Sequence, residues 1–363
     1  MGHTIACTGY RQARVRTGYE QVLTSRTSDL FAYTAKKPGK VSSISDTGII
    51  VEYDDGETTG YELGRRYGEA AGLTIPHEVK TTMKIGQKVK VGDLICYNDG
   101  FFEKDILDPN NVVYKAGIIV KTALMESTAT IDDSSSISEK VGKLLTTKVT
   151  KVKNVVLAFD QSIHNLVKVG TKVEYEDILC IIEDSVTANP GLFDEKSIET
   201  LRLVGAQTPQ AKVKGEIERI EVYYHGDKAD MSESLRMVAN ASDLAISRRN
   251  KSIGKKAFTG SVDDNYRIDG EPLMLDSLCI KFYISSDIPS GKGDKGVFGN
   301  QMKTVFGDNY RDKVLTESGI EVDAIFSYSS ILNRIVNSPV LIGTTNTLLS
   351  LIGKKAAAIY KGK

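Results

Sequence analysis

The 363-residue sequence lacks an excess of either charge, and it also lacks any long apolar run. Lys plus Arg and Asp plus Glu both number 47, so the formal net charge is zero. This balance argues against a free-standing nucleic-acid binder, which is normally basic, but not against a subunit that contacts nucleic acid with one face. No apolar run approaches the roughly 20 residues that span a bilayer. The first residues lack the charged and apolar regions of a signal peptide. We therefore expect neither a membrane span nor a secretory leader.

Cysteine and histidine are scarce, and their spacing excludes the common metal motifs. The four cysteines contain no Cys-x-x-Cys pair, and the four histidines are scattered at positions 3, 77, 164 and 225. This pattern predicts no zinc site in the chain. Cys96, Cys180 and Cys279 each lie in an apolar, strand-like run. We predict that these three are small buried residues with reduced thiols, as in a cytoplasmic protein.

The remaining pattern predicts a mostly β chain. Short Val- and Ile-rich runs alternate with Gly, Asp, Asn and Pro, at residues 48–53, 87–97, 116–124, 154–159, 178–182, 217–224, 278–284 and 321–327. The length suffices for two or three domains with substantial cores. Asp54-Asp55-Gly56, between the strand-like segments Ile49–Tyr53 and Glu57–Tyr61, predicts a β-hairpin. We interpret it as a turn because a calcium loop needs a longer ligand series and a terminal Glu.

One segment occurs twice. Ile85–Cys96 recurs as Val169–Cys180, and each copy has Gly-x-Lys-Val, a turn carrying Asp, and an apolar strand. This arrangement is typical of small barrels of the lipoyl and biotinyl carrier type. A carrier would need its modified lysine on a hairpin tip well before the Gly-x-x-Val run, and Met83-Lys84 abuts that run directly. A swinging-arm carrier is therefore disfavoured, and a lysine-linked mass addition would reveal one.

Two helices are predicted. Apolar spacing predicts the first over Asp230–Ile246, with Ser232 or Asp230 as N-cap. The basic run Arg248–Lys256 follows it, and is either a solvated face or a phosphate-contacting surface. The second is predicted over Asn346–Tyr360, where nearby lysines complement the helix dipole.

The stretch Ser290–Asn300 is the strongest candidate for binding chemistry. It holds four glycines and two lysines and follows an apolar run, Leu278–Ile284. Glycine allows close backbone approach or positive φ, and lysine offers a compact cation for phosphate. This pattern predicts a loop that binds a phosphorylated substrate or a nucleic-acid end. The alternative is a purely structural glycine turn. It is not a P-loop, because Lys295 is followed by Gly-Val rather than Ser or Thr.

Asp132-Asp133 is a second candidate. Adjacent carboxylates on a loop can hold Mg²⁺ directly or through water. The alternative is an acidic turn or a helix N-cap before Ser134–Ser138.

These segments together resemble a known family. Lys292–Val297 is similar to the His-Gly-Asn-Lys-Gly-Val signature of the β subunit of multisubunit RNA polymerases. Further blocks resemble that subunit in the same order: Thr17–Glu20, Ala35–Val41, Ile85–Ile95, Ile131–Val141, Gly215–Val222, Gly319–Ile325 and Leu332–Ile335. The blocks span roughly residues 17 to 335, and their joint order makes the resemblance specific.

The resemblance implies a mainly β fold with some α. Its core would be a double-psi β-barrel with an inserted, flap-like small β-barrel and a few helices. The implied segments are a lead-in (1–34), the first barrel part (35–145), the flap-like insert (146–225), a helical and basic connection (226–257), the second barrel part with the Lys295 loop (258–340), and a C-terminal helix and tail (341–363). Residues 184–200 would be an exposed connection or flap tip. One copy of the repeat would lie in the core and the other in the flap.

The resemblance also implies roles for individual residues. Lys295 matches the family lysine that contacts the RNA 3′ end or the substrate phosphates. Arg334 matches an arginine that contacts the triphosphate or neighbouring active-site residues, with a surface arginine before a helix as the alternative. Asp132 and Asp133 match a Glu-Asp pair near the nucleotide-bound Mg²⁺, although Asp132 is one methylene shorter than the family glutamate.

One position departs from the family pattern. A second active-site lysine in the family falls at Asp287 if no gap intervenes. Lys292, in the place of a family histidine, would then supply the missing positive charge.

The main Mg²⁺ ligands of such polymerases are three aspartates on the β′ subunit, in an Asp-Phe-Asp-Gly-Asp motif that is absent here. The resemblance therefore implies a DNA-directed RNA polymerase subunit that is enzymatic only in a complex. The expected partners are β′-like subunits, an N-terminal β-like subunit, a promoter-specificity factor at the flap, DNA template, RNA product and nucleoside triphosphates, with no membrane.

The matched blocks cover only the middle and late part of a cellular β subunit. This coverage resembles the split β subunits of RNA polymerases encoded by giant phages. The expected location is then the cytoplasm of the infected host cell, or the virion. The alternative, which Asp287 favours, is a non-catalytic assembly or nucleic-acid-binding module built from the same barrels.

Overall fold

The computed structural model describes residues 5–13, 16–70, 73–184, 206–299, 302–333 and 337–362. Strands hold 40% of the residues and helices 20%, which confirms the prediction of a mainly β chain with some helices. The chain forms two compact units from separated stretches: unit 1 comprises 1–23, 100–147 and 288–363, and unit 2 comprises 24–99 and 148–287. The six segments implied by the resemblance are not tested by this division and stay a prediction.

The secondary structure consists of many short strands and a few helices. The strands are β1 (Arg11–Gln12), β2 (Ala32–Thr34), β3 (Gly39–Ile44), β4 (Gly48–Tyr53), β5 (Thr58–Glu62), β6 (Gly64–Ala70), β7 (Leu73–Lys80), β8 (Lys88–Val89), β9 (Leu94–Asn98), β10 (Phe102–Lys104), β11 (Val112–Gly117), β12 (Thr122–Leu124), β13 (Ser134–Ser138), β14 (Thr147–Ala158), β15 (Ser162–His164), β16 (Lys172–Val173), β17 (Ile181–Glu183), β18 (Gly215–His225), β19 (Arg267–Ile268), β20 (Glu271–Pro272), β21 (Ser277–Ile288), β22 (Lys295–Phe298), β23 (Met302–Tyr310), β24 (Val314–Leu315), β25 (Glu321–Val322) and β26 (Ala324–Phe326). The helices in the described ranges are α1 (Tyr19–Arg26), α2 (Glu139–Leu144), α3 (Glu233–Ser252), α4 (Tyr328–Leu332) and α5 (Ser338–Tyr360), with a 3-10 turn at Lys228–Asp230.

Unit 1 is organised around a mixed five-stranded sheet in the order β12-β26-β13-β23-β22. The pairs β12–β26 and β13–β23 are parallel, whereas β13–β26 and β22–β23 are antiparallel. Its core contains the buried residues Ile137, Val141, Phe306 and Ala324. Since β13 lies far from β23 in the chain, this sheet brings distant segments side by side.

Unit 2 contains a long sheet in the order β16-β18-β21-β14-β7-β9-β2, with β6 paired to β7, and a four-stranded sheet in the order β5-β4-β3-β8. In the described residues, none of the sheets closes into a barrel. The predicted hairpin at Asp54–Gly56 is confirmed. It joins the antiparallel strands β4 and β5, and Gly56 takes a φ of 85° at the turn.

The sequence repeat folds as a structural repeat within unit 2. The glycines that open the two copies, Gly86 and Gly170, have φ values of 81° and 89°. In the Asp turns, the Lys90 N–H donates to Asp93 Oδ2 over 2.8 Å and the Glu174 N–H donates to Asp177 Oδ2 over 2.7 Å. The same local chemistry therefore produces the same turns in both copies.

Each copy also pairs with an equivalent longer strand. Val89 pairs with Gly39 at the start of β3, and Val173 pairs with Gly215 at the start of β18. A Cβ at Gly39 would lie 2.4 Å from the Glu52 carbonyl oxygen, and one at Gly215 would lie 2.5 Å from that of Ser285. Both long strands carry a register shift two residues later, between Val41 and Ser43 and between Ile217 and Arg219. Only glycine permits this close strand approach, so the repeat extends beyond the segment visible in the sequence.

Both predicted helices are confirmed and both are longer than predicted. Helix α3 begins after Ser232, whose Oγ accepts from the Leu235 N–H, and it continues through most of the basic run. Arg249 in that run contacts the Glu62 carboxylate through Nε at 2.9 Å and lies 3.7 Å from the Phe258 ring centroid. At this position the basic run is therefore an internal contact of unit 2. Helix α5 starts at Ser338, with proline in its first turn.

The predicted burial of three cysteines is confirmed. Cys96, Cys180 and Cys279 are buried free thiols, whereas Cys7 is partly exposed. Burial raises the pKa of Cys96 to about 12 and that of Cys180 to about 11. These thiols are poor nucleophiles, because the reactive thiolate is disfavoured. The predicted flap tip, residues 184–200, lies outside the described residues except for Asp184.

Candidate functional site

The glycine-rich loop before β22 is a tight, internally bonded turn. The Asp294 carboxylate accepts from the Gly291 N–H at 2.9 Å and from Ser290 Oγ at 3.1 Å. Gly293 takes a φ of 94°, and its N–H donates to the Phe306 carbonyl over 2.8 Å. The Phe306 N–H returns a bond of 2.8 Å to the Asp294 carbonyl. The loop is thereby fastened to β23 and gives β22 a defined starting point.

Strand β22 places the side chain of Lys295 on the solvent face of unit 1. In the antiparallel register, Lys295 pairs with Val305. Side chains alternate along a strand, and Lys295 is exposed while Gly296 faces the core. A Cβ at Gly296 would lie 2.5 Å from Phe306 Cζ. Phe298, also on the core face, lies 5.2 Å from Phe326 between ring centroids.

The Asp132-Asp133 pair lies in an exposed turn just before β13. Asp132 has a φ of 54°, and its carbonyl accepts a hydrogen bond from the Ser330 hydroxyl. The Asp133 carbonyl accepts from the Val305 N–H over 3.0 Å. The helix that follows β13 is capped by Ser138 instead, so the aspartates are turn residues and not its N-cap.

Val305 connects the two candidate elements. It pairs with Lys295 on one side and, in parallel register, with Ser134 on the other. Strands lie about 4.8 Å apart, so Lys295 and Ser134 are about 10 Å apart across β23. The structure therefore brings Lys295 and the residue after Asp133 into one neighbourhood of the sheet.

Lys303 lies on the same solvent face, and the sequence analysis did not identify it as a candidate. It pairs with Val297, two residues along β22 from Lys295, so both lysines lie on one side of the hairpin. Both are exposed, as is Lys292 in the preceding loop. No ion pair joins these three lysines to a residue in the described ranges. The hairpin and the loop before it thus present three ammonium groups, a charge pattern suited to phosphate oxygens.

Arg334 lies outside the described residues, and the helix before it is well anchored. Ser327 caps α4, accepting from the Ser330 N–H at 3.1 Å. The Glu126 carboxylate accepts from the Ser329 N–H at 2.8 Å and from Ser327 Oγ at 3.0 Å. The backbone hydrogen bond from Ser329 is the main cause of a lowered pKa at Glu126. Through the bond from Ser330 to Asp132, α4 is also tied to the acidic turn.

Asp287 belongs to unit 2 and is accompanied by a cation there. Its carboxylate Oδ1 lies 3.9 Å from the Lys148 Nζ, which also lies 3.1 Å from Glu218 Oε1. The position implied for a second active-site lysine therefore carries a carboxylate with its own positive partner.

Metal ligation by this chain alone is not apparent in the described ranges. No group of three or more His, Cys, Asp or Glu side chains there is arranged to hold a metal ion. Asp132 and Asp133 offer two carboxylates, and a bound Mg²⁺ would need its remaining ligands from water, nucleotide or another chain.

No protein-family model matches the chain, and a search of curated proteins finds no match.

Proposed function

We propose that this chain is the C-terminal portion of a split β subunit of a DNA-dependent RNA polymerase. It would supply contacts to substrate phosphates and the RNA 3′ end in a nucleotidyl-transfer site shared with a β′-like subunit. The ordered sequence blocks motivate the proposal. The observation that carries it is the strand register at Val305. Lys295 pairs with Val305 on one side, and Ser134, the residue after Asp133, pairs with it on the other.

Lys295 would act as a phosphate-contacting cation. Negative charge spreads over the transferred phosphoryl group in the transition state, and a positioned ammonium group stabilises it. Its exposure without an ion pair in the described ranges supports this role. Lys292 and Lys303 would add positive charge nearby. Arg334 would contact the triphosphate, and this role is proposed from the resemblance alone.

Asp132 and Asp133 would lie near the nucleotide-bound Mg²⁺. Two carboxylates do not complete a coordination sphere of oxygen ligands. The proposal therefore leaves the main Mg²⁺ ligands to the three-aspartate motif of a β′-like partner.

The finer fold proposal is a double-psi β-barrel with a flap-like insert, and the sheet of unit 1 bears on its barrel part alone. Its two parallel pairs each join strands from distant parts of the chain. In the assembled enzyme, the flap-like insert would contact a promoter-specificity factor. The enzyme would work on DNA in the cytoplasm of the infected host cell or be packaged in the virion.

The test is elongation by the assembled complex carrying Lys295→Ala. We expect elongation to fall roughly 100-fold or more, because a group that stabilises transition-state charge is lost. Assembly should persist, since Lys295 is exposed. Lys104→Ala, at another exposed lysine of unit 1, is the matched control and should elongate normally. Normal elongation by Lys295→Ala would contradict the assigned role.

The second candidate is a non-catalytic assembly or nucleic-acid-binding module. The Asp287 carboxylate favours it, because it places negative charge at the position implied for a second active-site lysine. An affinity label separates the two candidates. An aldehyde-bearing nucleotide analogue forms an imine with a nearby lysine in the presence of a β′-like partner, and added borohydride reduces that imine to a stable amine. Labelling at Lys295 supports the catalytic assignment. Copurification with no β′-like chain supports the module.

A further inference from the structure

Helix α5 exposes an unusual amount of apolar surface. None of its 23 residues is buried. Seven of its large aliphatic side chains are exposed by between 41% and 69%, namely Val340, Leu341, Ile342, Leu348, Leu351, Ile352 and Ile359. Leu349 is half-buried, and Tyr360 is exposed. Helices of this length gain most of their stability from packing an apolar face. A covering surface is therefore missing from the described residues.

The shape of the apolar surface indicates what would cover it. At 3.6 residues per turn, the large apolar side chains spread over an arc of about 200°. The remaining arc carries Gly343, Asn346, Thr347, Ser350, Gly353, Lys354 and Ala357. A single neighbouring helix covers a narrow seam, whereas an arc this wide needs a groove that contacts the helix from two sides.

The charged residues of helix α5 and its flanking residues are all basic. Residues 337–363 contain no Asp or Glu, although the whole chain has equal numbers of acidic and basic residues. Four lysines occur there, at 354, 355, 361 and 363, so the positive charge is concentrated towards one end of the helix. A complementary surface would carry carboxylates at that end.

We propose that α5 docks into an apolar groove of a separate polypeptide whose rim is acidic where it receives Lys354 and Lys355. A 23-residue helix is about 35 Å long, enough for an interface side of the usual size, roughly 800 Å². This docking is independent of the proposed polymerase function.

Two other occupants fit the surface less well. A second copy packed in parallel would bring the lysine-bearing ends together, which like charges oppose. A second copy packed antiparallel would offer those lysines no carboxylate from its own helix, since residues 337–363 contain no Asp or Glu. Helices that lie on membranes are usually rich in Lys or Arg along the polar face, opposite Trp, Phe or Leu. Between Asn346 and Ser350 the polar arc of α5 is uncharged, and the chain has no Trp. In the described part of the chain, no helix has the length and apolarity to cross a bilayer.

The test compares two charge-matched variants of the full chain. Leu348→Asp/Ile352→Asp places carboxylates on the apolar arc, and Thr347→Asp/Ser350→Asp places them on the polar arc in the same turns. Because no α5 residue is buried, both should keep the fold, which circular dichroism checks.

Carbodiimide cross-linking in extract of the native source joins lysines to carboxylates in direct contact. We expect Lys354 or Lys355 to link to Asp or Glu of one partner chain.

Binding to that partner, once purified, gives the decisive measurement. The apolar-arc variant should bind at least roughly tenfold more weakly, because buried apolar contacts are replaced by charge. The polar-arc variant should bind like wild type. Self-association lost only in the apolar-arc variant would overturn the proposal in favour of a second copy. Flotation with phosphatidylcholine–phosphatidylserine vesicles would overturn it in favour of a membrane surface. Absence of any lysine–carboxylate cross-link from α5, or equal binding by both variants, would also overturn it.

Discussion

Gly296 lies against the ring of Phe306, where an added Cβ would fall 2.5 Å from Cζ. This contact lets β22 approach the core of unit 1 closely. The alternation of the strand then directs the neighbouring Lys295 and Val297 side chains to solvent. The position of the candidate lysine thus depends on a glycine that touches no ligand.

Gly296→Ala should destabilise unit 1. The new methyl group must displace the Phe306 ring or β22, and overpacking of this kind costs about 1–3 kcal/mol. Urea denaturation measures the change in the free energy of unfolding. Gly291→Ala is the control, because nothing lies within 4 Å of its added Cβ. Equal stability of the two variants would contradict the tight packing at Gly296.

Thr150 and Ser285 form a buried hydroxyl pair in unit 2, with their Oγ atoms 2.6 Å apart. Thr150→Val should cost about 1–3 kcal/mol, because the Ser285 hydroxyl is left buried without that partner. Thr150→Val/Ser285→Ala should cost less than the sum of the two single variants, since it removes both polar groups. A double-mutant cycle in urea measures the difference. Additive losses would show that the pair is not coupled.

His77 should make unit 2 sensitive to mild acid. Burial, with Arg66 and Arg65 nearby, lowers its pKa below the ordinary 6.5, and its Nδ1 lies 2.9 Å from Asn98 Nδ2. The unfolded chain then binds this proton more readily than the folded chain. The free energy of unfolding should therefore fall as pH drops through 6.5, and level off below the folded pKa.

The matched variant for this effect is His77→Gln, which keeps an acceptor but does not titrate. Its free energy of unfolding should vary less with pH around 6.5 than that of wild type. Parallel pH profiles would contradict the assignment. The other histidines are present in both proteins and cancel in the comparison.

The cysteines should divide into one accessible and three protected thiols. A maleimide should label Cys7 in the folded protein, slowly, because partial burial raises the pKa of its thiol. Cys96, Cys180 and Cys279 are buried and should react only after unfolding. Peptide mass spectrometry before and after urea identifies the labelled sites, with Cys7→Ser as the control. Labelling of Cys96 in the native protein would contradict its burial.

Local features of the fold could be predicted from the sequence. The Asp54–Gly56 turn, the Ser232 cap and the burial of three cysteines all depend on residues within a few positions of one another. Turn residues, N-cap side chains and apolar runs act on their own backbone, so short-range patterns suffice. Helix α5 begins earlier than predicted, because Pro339, Gly343, Thr344 and Thr345 have low helix propensity and weaken the helical signal before Asn346.

The candidate site could be predicted only in part. The glycine–lysine loop was visible as a motif, but Lys303 was not, because its place depends on the register of the β22–β23 hairpin. The contacts of Arg249 could not be predicted from the sequence either. Its basic run suggested solvent or phosphate, whereas its guanidinium contacts Glu62 and Phe258.

The amino-acid sequence by itself determined the β-rich pattern, the turns with their glycines and aspartates, and both copies of the repeat. The tertiary structure alone decided that Val305 separates Lys295 from Ser134, and that Gly39 and Gly215 hold equivalent positions. The physical reason is the range of the interactions. Dihedral preferences and caps act within a turn, whereas strand register follows from packing between segments far apart in the chain.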